Sequence, residues 1–187
     1  MKLLAICGSP RPKGNTNYLV DQALAEAAKL GAKTEKIMVS RYNINPCLAH
    51  DKCASYDSCL QKDDAIWILD KLLKADGVII ASPVYYYNVT AQMKTFIDRN
   101  DFLFKHGQKS QAKAVGIITL AGGDGGIADT INTLKRFINE TFAVRGDKLF
   151  VVWGLARHPG EAESNLPLVK AAQKLGRQML ESPKQEI

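Results

Sequence analysis

Short, continuous apolar runs alternate along this chain with segments whose apolar residues recur every three or four positions. The runs at 3–7, 34–39, 78–81, 114–120 and 148–152 have the length and composition of buried strands. The segment after each strand has the apolar period of an amphipathic helix. The inward-facing positions that this period predicts include Val20, Ala23, Leu24, Ala27, Ile66, Leu69, Leu73, Val89, Met93, Phe96, Ile97, Ile127, Ile131, Leu134, Ile138, Phe142, Leu168, Ala171, Leu175 and Met179.

Strand and helix alternate without an internal repeat, a linker or a change in composition, which predicts one domain over residues 1–187. Buried strands that alternate with helices indicate an α/β fold with a parallel sheet covered by helices on both faces. Because crossover connections are right-handed, the fold is expected to be doubly wound. Five strands suit the flavodoxin-like order 2-1-3-4-5 better than the six-stranded dinucleotide-binding fold.

Composition and charge indicate which kinds of molecule the protein binds. The chain has 187 residues, of which 46% are hydrophobic and 24% charged, and this is an ordinary balance for a globular protein. Its net charge of +6 comes from basic residues scattered among acidic ones, which suits a small anion such as a nucleotide better than nucleic acid. The apolar runs are too short for a membrane span, and the first residues lack a secretory signal. We therefore expect a soluble cytoplasmic protein with no nucleic-acid or membrane partner.

Ligands of such sheets bind beyond the carboxyl ends of the strands, at the point where the strand order reverses. The loop over residues 8–16 joins the first predicted strand to a helix N-terminus, where free N–H groups and the helix dipole favour a phosphate. Ser9, Asn15 and Thr16 offer short hydrogen-bonding side chains, and Arg11 offers a planar cation. The alternative is an ordinary polar loop that precedes a capped helix.

Two further loops at the same predicted edge suit a flat ring. Residues 82–88 contain three consecutive tyrosines, and residues 121–125 have almost no side chains, so the backbone there could approach a ring closely. The tyrosines could instead pack on neighbouring loops or on a second subunit, and the glycine loop could be a plain flexible turn. A phosphate site next to a ring site indicates a mononucleotide, as for FMN in flavodoxin-like sheets.

Two motifs carry a family resemblance. Gly8-Ser-Pro-Arg-x-x-Gly-Asn-Thr16 and Ser82-Pro-Val-Tyr…Lys94-x-Phe-Ile-Asp-Arg99 resemble the NADPH-dependent FMN reductase family, and within it the chain is most similar to the iron–sulfur flavoproteins. The resemblance implies a flavodoxin-like fold, tightly bound FMN and a homodimer or tetramer. The FMN-binding residues that it implies are Ser9, Arg11, Asn15, Thr16 and Asn17 at the phosphate and Pro83, Val84, Tyr85, Tyr86, Gly122 and Gly123 around the ring.

An insertion at about residues 40–62 contains Cys47, His50, Cys53 and Cys59. Clustered cysteines of this kind indicate metal or redox chemistry more often than disulfides. The resemblance implies a C-x2-C-x2-C-x(4–7)-C cluster motif in which His50 replaces the second cysteine. A [4Fe–4S] cluster with one histidine ligand, a relative that has lost its cluster and a Cys3His zinc site all remain open, as does a solvated His50. Cys7 lies in a predicted strand and is expected in the core.

The resemblance implies an FMN-dependent oxidoreductase that transfers electrons between a reduced donor, a ferredoxin or NAD(P)H, and an acceptor. No catalytic acid or base is predicted, because the flavin carries the chemistry. The alternatives are a cluster-free NAD(P)H:FMN or quinone oxidoreductase, a non-catalytic flavodoxin-type electron carrier and a nucleotide-binding regulatory domain. Residues 101–109 are expected to form a loop that exposes Phe102 and Phe104 and packs on a second subunit, or else a lid within one chain.

Overall fold

The computed structural model describes residues 1–144 and 146–181. Five strands alternate with the main helices, as the apolar pattern predicts. The strands are β1 (Lys2–Cys7), β2 (Lys33–Met38), β3 (Gly77–Pro83), β4 (Ala114–Ala121) and β5 (Leu149–Leu155). The helices are α1 (Asn15–Lys29), α2 (Ala65–Lys74), α3 (Ala91–Arg99), α4 (Asp101–Lys105), α5 (Ile127–Thr141), α6 (Glu161–Ser164) and α7 (Leu166–Gln178).

The strands form one parallel sheet in the order β2-β1-β3-β4-β5, which confirms the predicted doubly wound architecture. Side chains alternate between its two faces. On one face, Leu4 and Ile6 join a core with α2, α3, α4 and α5. On the other face, Leu3, Ala5 and Cys7 join a core with α1 and α7. Helices therefore cover both faces, and Cys7 is a core residue as expected.

The first strand turns towards α1 next to the start of α3. The N–H of Gly8 donates to the carbonyl of Ala81 at 2.7 Å, and the Thr90 hydroxyl donates to the carbonyl of Gly8, also at 2.7 Å. A Cβ on Gly8 would lie 2.7 Å from Cβ of Met93, so only glycine allows this approach. The N–H of Thr90 donates to Oγ of Ser82 at 3.1 Å. These contacts hold the loops after β1 and β3 side by side.

The structure corrects the prediction for residues 101–109. A helical turn, α4, replaces the expected loop, and Asp101 and Lys105 form an i,i+4 ion pair on it. Phe102 is half-buried against the core and stacks on His106, so the prediction that it is exposed was wrong. Phe104 is exposed, as predicted. The apolar residues of this segment divide between the core and the surface, as they do on an amphipathic helix.

Within residues 1–144 and 146–181, every helix is too short or too polar to cross a membrane.

Candidate functional site

A cavity of about 240 Å³ lies beyond the carboxyl ends of β1, β3, β4 and β5. This is the edge where the strand order predicts a ligand. Its lining residues are Ser9, Arg11, Lys13, Gly14, Asn15, Thr16, Pro83, Val84, Tyr85, Leu120, Ala121, Gly122, Ala156, Arg157 and Pro159. Most of the predicted phosphate and ring residues therefore meet in one place.

The electrostatics of this cavity favour an anion. Arg11, Lys13 and Arg157 line it, and its described lining includes no aspartate, glutamate or histidine. The first turn of α1 also borders it, and the N-cap residue is Gly14, which has no side chain to accept the first N–H groups. Free N–H groups and the positive end of the helix dipole attract phosphate.

The predicted phosphate residues fill different structural roles. Ser9 and Thr16 are buried residues of the cavity lining, and Oγ of Ser9 accepts the N–H of Arg11 at 3.3 Å. The Asn15 side chain is already engaged, because its Nδ2 donates to the carbonyl of His158 at 2.8 Å and its Oδ1 accepts the N–H of Ala162 at 3.2 Å. Its backbone N–H is therefore the group that Asn15 can offer to a ligand.

Asn17 lies behind the loop between β1 and α1. Its side chain is fully buried, and Nδ2 donates to the carbonyl of Arg11 at 2.7 Å. The structure places it outside the cavity lining. Asn17 therefore holds the loop that carries Arg11 in place. Its direct contact with FMN stays a prediction.

On the ring side, Pro83, Val84, Tyr85 and Gly122 line the cavity. The N–H of Val84 donates to the carbonyl of Leu120 at 2.7 Å, so the end of β4 holds this loop in position. Tyr86, a residue that is 98% exposed, and Gly123 lie outside the cavity lining, and their contact with the ring stays a prediction.

A tight turn follows Tyr85. Tyr85 and Asn88 exchange backbone hydrogen bonds at 2.8 and 3.2 Å, with Tyr86 at φ 46° and Tyr87 at φ 67° between them. Two-residue turns with both φ values positive normally use Asn-Gly or Gly-Gly, because larger residues are strained there. Strain of this kind concentrates at functional sites. The turn thus exposes Tyr86 directly after Tyr85, which lines the cavity.

Tyr87 belongs to the packing of the site. Its ring lies over the glycine loop, where a Cβ on Gly125 would be 2.7 Å from Cε1 of Tyr87. Gly126 has φ +84° and would bring a Cβ within 2.4 Å of Cα of Tyr87. Gly126 is required by this contact, because backbone atoms of Tyr87 occupy the space, whereas a side chain at Gly125 would displace the Tyr87 ring. For Tyr87 the structure therefore favours the alternative in which the ring packs on a neighbouring loop.

Sequence reasoning missed the part of the cavity that follows β5. Nε of Arg157 donates to the carbonyl of Gly122 at 3.1 Å, and the N–H of Ala156 donates to the carbonyl of Ala121 at 2.8 Å. Glu161 accepts the N–H of His158 at 2.8 Å, and this bond lowers the pKa of Glu161. The available signal was Arg157, which follows the fifth predicted strand by five residues, since that strand also ends at the ligand edge.

The lining fits FMN in chemistry. Cations, N–H groups and a buried hydroxyl meet at one end, and Pro83, Val84 and the nearly bare backbone of Gly122 meet at the other. The volume of about 240 Å³ lies below the range of about 300–1,000 Å³ that is typical of ligand pockets. The described loops of one chain therefore enclose only part of a mononucleotide.

The cysteine segment, residues 44–62, lies apart from this cavity. Cys47, Cys53 and Cys59 are half-buried, and burial raises the pKa of Cys53, with the neighbouring thiols adding to the rise. In residues 1–144 and 146–181, no three side chains of the metal-binding types lie close enough together to hold an ion. Three thiols and an imidazole are suitable iron ligands in type, and the structure does not present them as an assembled site.

Comparison with known proteins agrees with this architecture. The family model described as NADPH-dependent FMN reductase matches residues 1–154. An iron-sulfur flavoprotein of Methanocaldococcus jannaschii is 34% identical over 187 aligned residues, covering 97% of this chain and 96% of the relative. A second iron-sulfur flavoprotein of that organism is 40% identical over 151 residues, covering 78% of this chain and 76% of the relative.

Among solved structures, the NAD(P)H:quinone oxidoreductase from Methanothermobacter marburgensis has a TM-score of 0.72 and 13% identity. The alignment covers 95% of this chain and 98% of that one. At this identity the likeness supports the fold alone.

The Tyr86 turn makes a testable prediction. Tyr86→Asn should stabilise the FMN-free protein by about 0.5–1 kcal/mol, because asparagine tolerates a positive φ and the exposed ring packs only against the edge of Tyr87. Urea unfolding at equilibrium measures the difference. Tyr86→Phe, which keeps the ring and the backbone restraint, should leave stability unchanged. Equal or lower stability of Tyr86→Asn would contradict the strain argument.

Proposed function

The chain belongs to the NADPH-dependent FMN reductase family, and on this basis we propose that it transfers electrons from a reduced donor, NAD(P)H or a ferredoxin, to an acceptor. Membership of this family makes it an FMN-dependent oxidoreductase rather than a non-catalytic carrier or a regulatory domain. One observation carries the proposal: a cation-lined cavity with no carboxylate in its described lining lies at the N-terminus of α1, on the edge where the strand order reverses.

The phosphate of FMN is assigned to the loop between β1 and α1. Ser9 and Thr16 offer hydroxyl groups, the first turn of α1 offers N–H groups, and Arg11 offers a guanidinium. Hydrogen bonds between charged and neutral groups are stronger than those between neutral partners. The Asn15 side chain is hydrogen-bonded to His158 and Ala162 in the region after β5, so it supports this loop and is not assigned to the phosphate.

The ring of FMN is assigned to the space beside Pro83, Val84, Tyr85 and Gly122. FMN, when bound, supplies reversible acceptance of a hydride or of single electrons. The residues assigned here bind and orient the ligand, and no general acid or base is proposed, because the flavin itself carries the chemistry.

The cysteine segment is assigned to a [4Fe–4S] cluster, for which Cys47, His50, Cys53 and Cys59 are the proposed ligands. Similarity to iron-sulfur flavoproteins over nearly the whole chain supports this assignment. The guanidinium of Arg99, whose Nη2 lies 3.4 Å from Sγ of Cys59, suits a group with anionic sulfur ligands. A histidine ligand would raise the reduction potential of the cluster, as it does in Rieske centres.

A cluster-free NAD(P)H:FMN or quinone oxidoreductase is the second candidate. The observation that favours it is the lack of an assembled group of metal-binding side chains in the described parts of the chain. A Cys3His zinc site is the third outcome that a metal analysis distinguishes.

A homodimer or tetramer is part of the proposal. The cavity of one chain is small for a mononucleotide, and Tyr86 and Phe104 expose 98% and 61% of their surfaces. A second copy could cover both aromatic residues and complete the enclosure of the ring. The ferredoxin partner, by contrast, rests on the family resemblance.

The experiment that tests this function uses anaerobically purified protein reconstituted with FMN. We expect one flavin per chain, oxidation of NAD(P)H or of reduced ferredoxin, and about four irons with matching sulfide per chain. Flavin without iron would favour the cluster-free enzyme, and zinc would favour the structural metal site. A protein that binds no flavin would contradict the whole proposal. Light scattering that reports the single-chain mass of 20.5 kDa would contradict the oligomer.

The FMN assignment predicts the effect of two substitutions. Thr16→Val and Arg11→Gln should each weaken FMN binding about tenfold, because each removes one partner of the phosphate. Flavin fluorescence quenching measures the dissociation constant. Arg136→Gln removes an exposed arginine of α5 that lies outside the FMN cavity, and it should leave FMN affinity unchanged. Equal affinities in all three variants would place the phosphate elsewhere.

A further inference from the structure

A buried ion pair stands next to the cysteine segment. Arg99 is the last residue of α3, and Asp63 lies just before α2, 36 positions earlier in the chain. Nη1 of Arg99 lies 2.5 Å from Oδ2 of Asp63, and the two side chains are 1% and 0% exposed. A buried pair loses hydration, and its attraction offsets that loss only when further hydrogen bonds satisfy both partners.

The partners of this pair belong to the cysteine segment. Nη1 of Arg99 also donates to the carbonyl of Asn45 at 3.0 Å, and Nη2 donates to Sγ of Cys59 at 3.4 Å. Oδ2 of Asp63 accepts the backbone N–H of Asn45 at 2.9 Å. One guanidinium therefore contacts the segment near both ends, at Asn45 and at Cys59.

The middle of the segment has a different anchor. Nε2 of the His106 ring lies 2.9 Å from the carbonyl oxygen of Tyr56, and Nδ1 lies 2.7 Å from that of Phe102. This contact joins the segment to α4 independently of Arg99. The ends are also joined by Gln61, whose Oε1 accepts the N–H of Leu48 at 3.3 Å and whose Nε2 donates to the carbonyl of Pro46 at 3.0 Å. Loss of Arg99 should therefore loosen the two ends more than the middle without freeing them completely.

We propose that Arg99 is a positioning residue for the cysteine segment. It binds one end of the segment at the Asn45 carbonyl and holds the Cys59 sulfur near the other end. The inference rests on the proposed function in one respect, the assignment of Cys59 as a cluster ligand. Hydrogen bonds to cluster sulfurs and nearby positive charge stabilise the more negative, reduced state. Arg99 is thus expected to raise the reduction potential of a cluster bound by Cys59.

The shape of arginine explains the choice of residue. A planar guanidinium with five N–H donors serves Asp63, the Asn45 carbonyl and the Cys59 sulfur at the same time. A lysine ammonium in the same space keeps the charge and loses the fork geometry. Arg99→Lys should therefore preserve part of the effect and Arg99→Gln little of it.

The first measurement is hydrogen exchange on FMN-loaded, metal-free protein. In Arg99→Gln, amides at residues 44–48 and 58–62 should exchange about tenfold faster than in the wild type, while those at 53–57 change less. Asp63→Asn/Arg99→Gln leaves no unpaired charge in the interior and serves where the single variant does not fold. Lys94→Gln is the matched control, since Lys94 lies on the same helix in an exposed pair with Asp98.

The second measurement uses protein reconstituted with iron and sulfide. Arg99→Gln should retain less iron and have a lower cluster reduction potential, with intermediate values for Arg99→Lys and wild-type values for Lys94→Gln. FMN affinity should be unchanged in all variants, because Arg99 does not line the FMN cavity. A lower cluster potential in Arg99→Gln that Arg99→Lys partly restores would indicate that Arg99 positions the sulfur. A general loss of stability would not be expected to change the potential of the cluster that remains bound.

The outcomes separate the two proposals. If the wild type binds no cluster, the cluster assignment fails, and hydrogen exchange alone decides whether Arg99 positions the segment. If exchange at the segment ends is the same in Arg99→Gln or the double variant as in Lys94→Gln, the inference about Arg99 is overturned. Unchanged potential in a cluster-loaded Arg99→Gln protein would overturn the role at Cys59.

Discussion

The structure depends on the close approach of β1 and α3 at the edge where the strand order reverses. The Thr90 hydroxyl donates to the carbonyl of Gly8 and caps α3 by accepting the N–H of Met93 at 3.2 Å. The missing Cβ of Gly8 leaves room for the Met93 side chain. Parallel strands bring their carboxyl ends to one edge, and this contact joins the two loops that follow β1 and β3 there.

The loops around the cavity are held by backbone hydrogen bonds, and one of them contains a strained turn. Backbone bonds from the end of β4 hold the loops on either side of it, through Val84 and Ala156. The side chain of Asn15 joins the loop between β1 and α1 to the loop after β5. Against this rigid frame, Tyr86 and Tyr87 have positive φ values that most residues avoid. The surrounding bonds maintain a turn that local preferences alone would not favour.

Helix α3 connects the two regions that carry the proposed chemistry. Its N-cap, Thr90, belongs to the contact beside the cavity assigned to FMN, and its last residue, Arg99, reaches the cysteine segment. A helix of nine residues is about 14 Å long, so one rigid element sets the separation of these two ends. The arginine of the Lys94-x-Phe-Ile-Asp-Arg99 motif thus has a structural role in this chain, in addition to marking the family resemblance.

The sequence by itself determined the element order, the sheet topology and the family, and it singled out most of the residues that line the cavity, whose contact with FMN stays a prediction. Those features depend on local patterns: apolar runs, helical periods and short loops at strand ends, each readable within about 15 residues. Only the tertiary structure decided that Arg157 lines the cavity, that the Asn15 side chain supports a loop 143 residues away and that α4 replaces a loop. It also paired Asp63 with Arg99. Such contacts join residues far apart in the chain, and the local pattern around each residue carries no information about its distant partner.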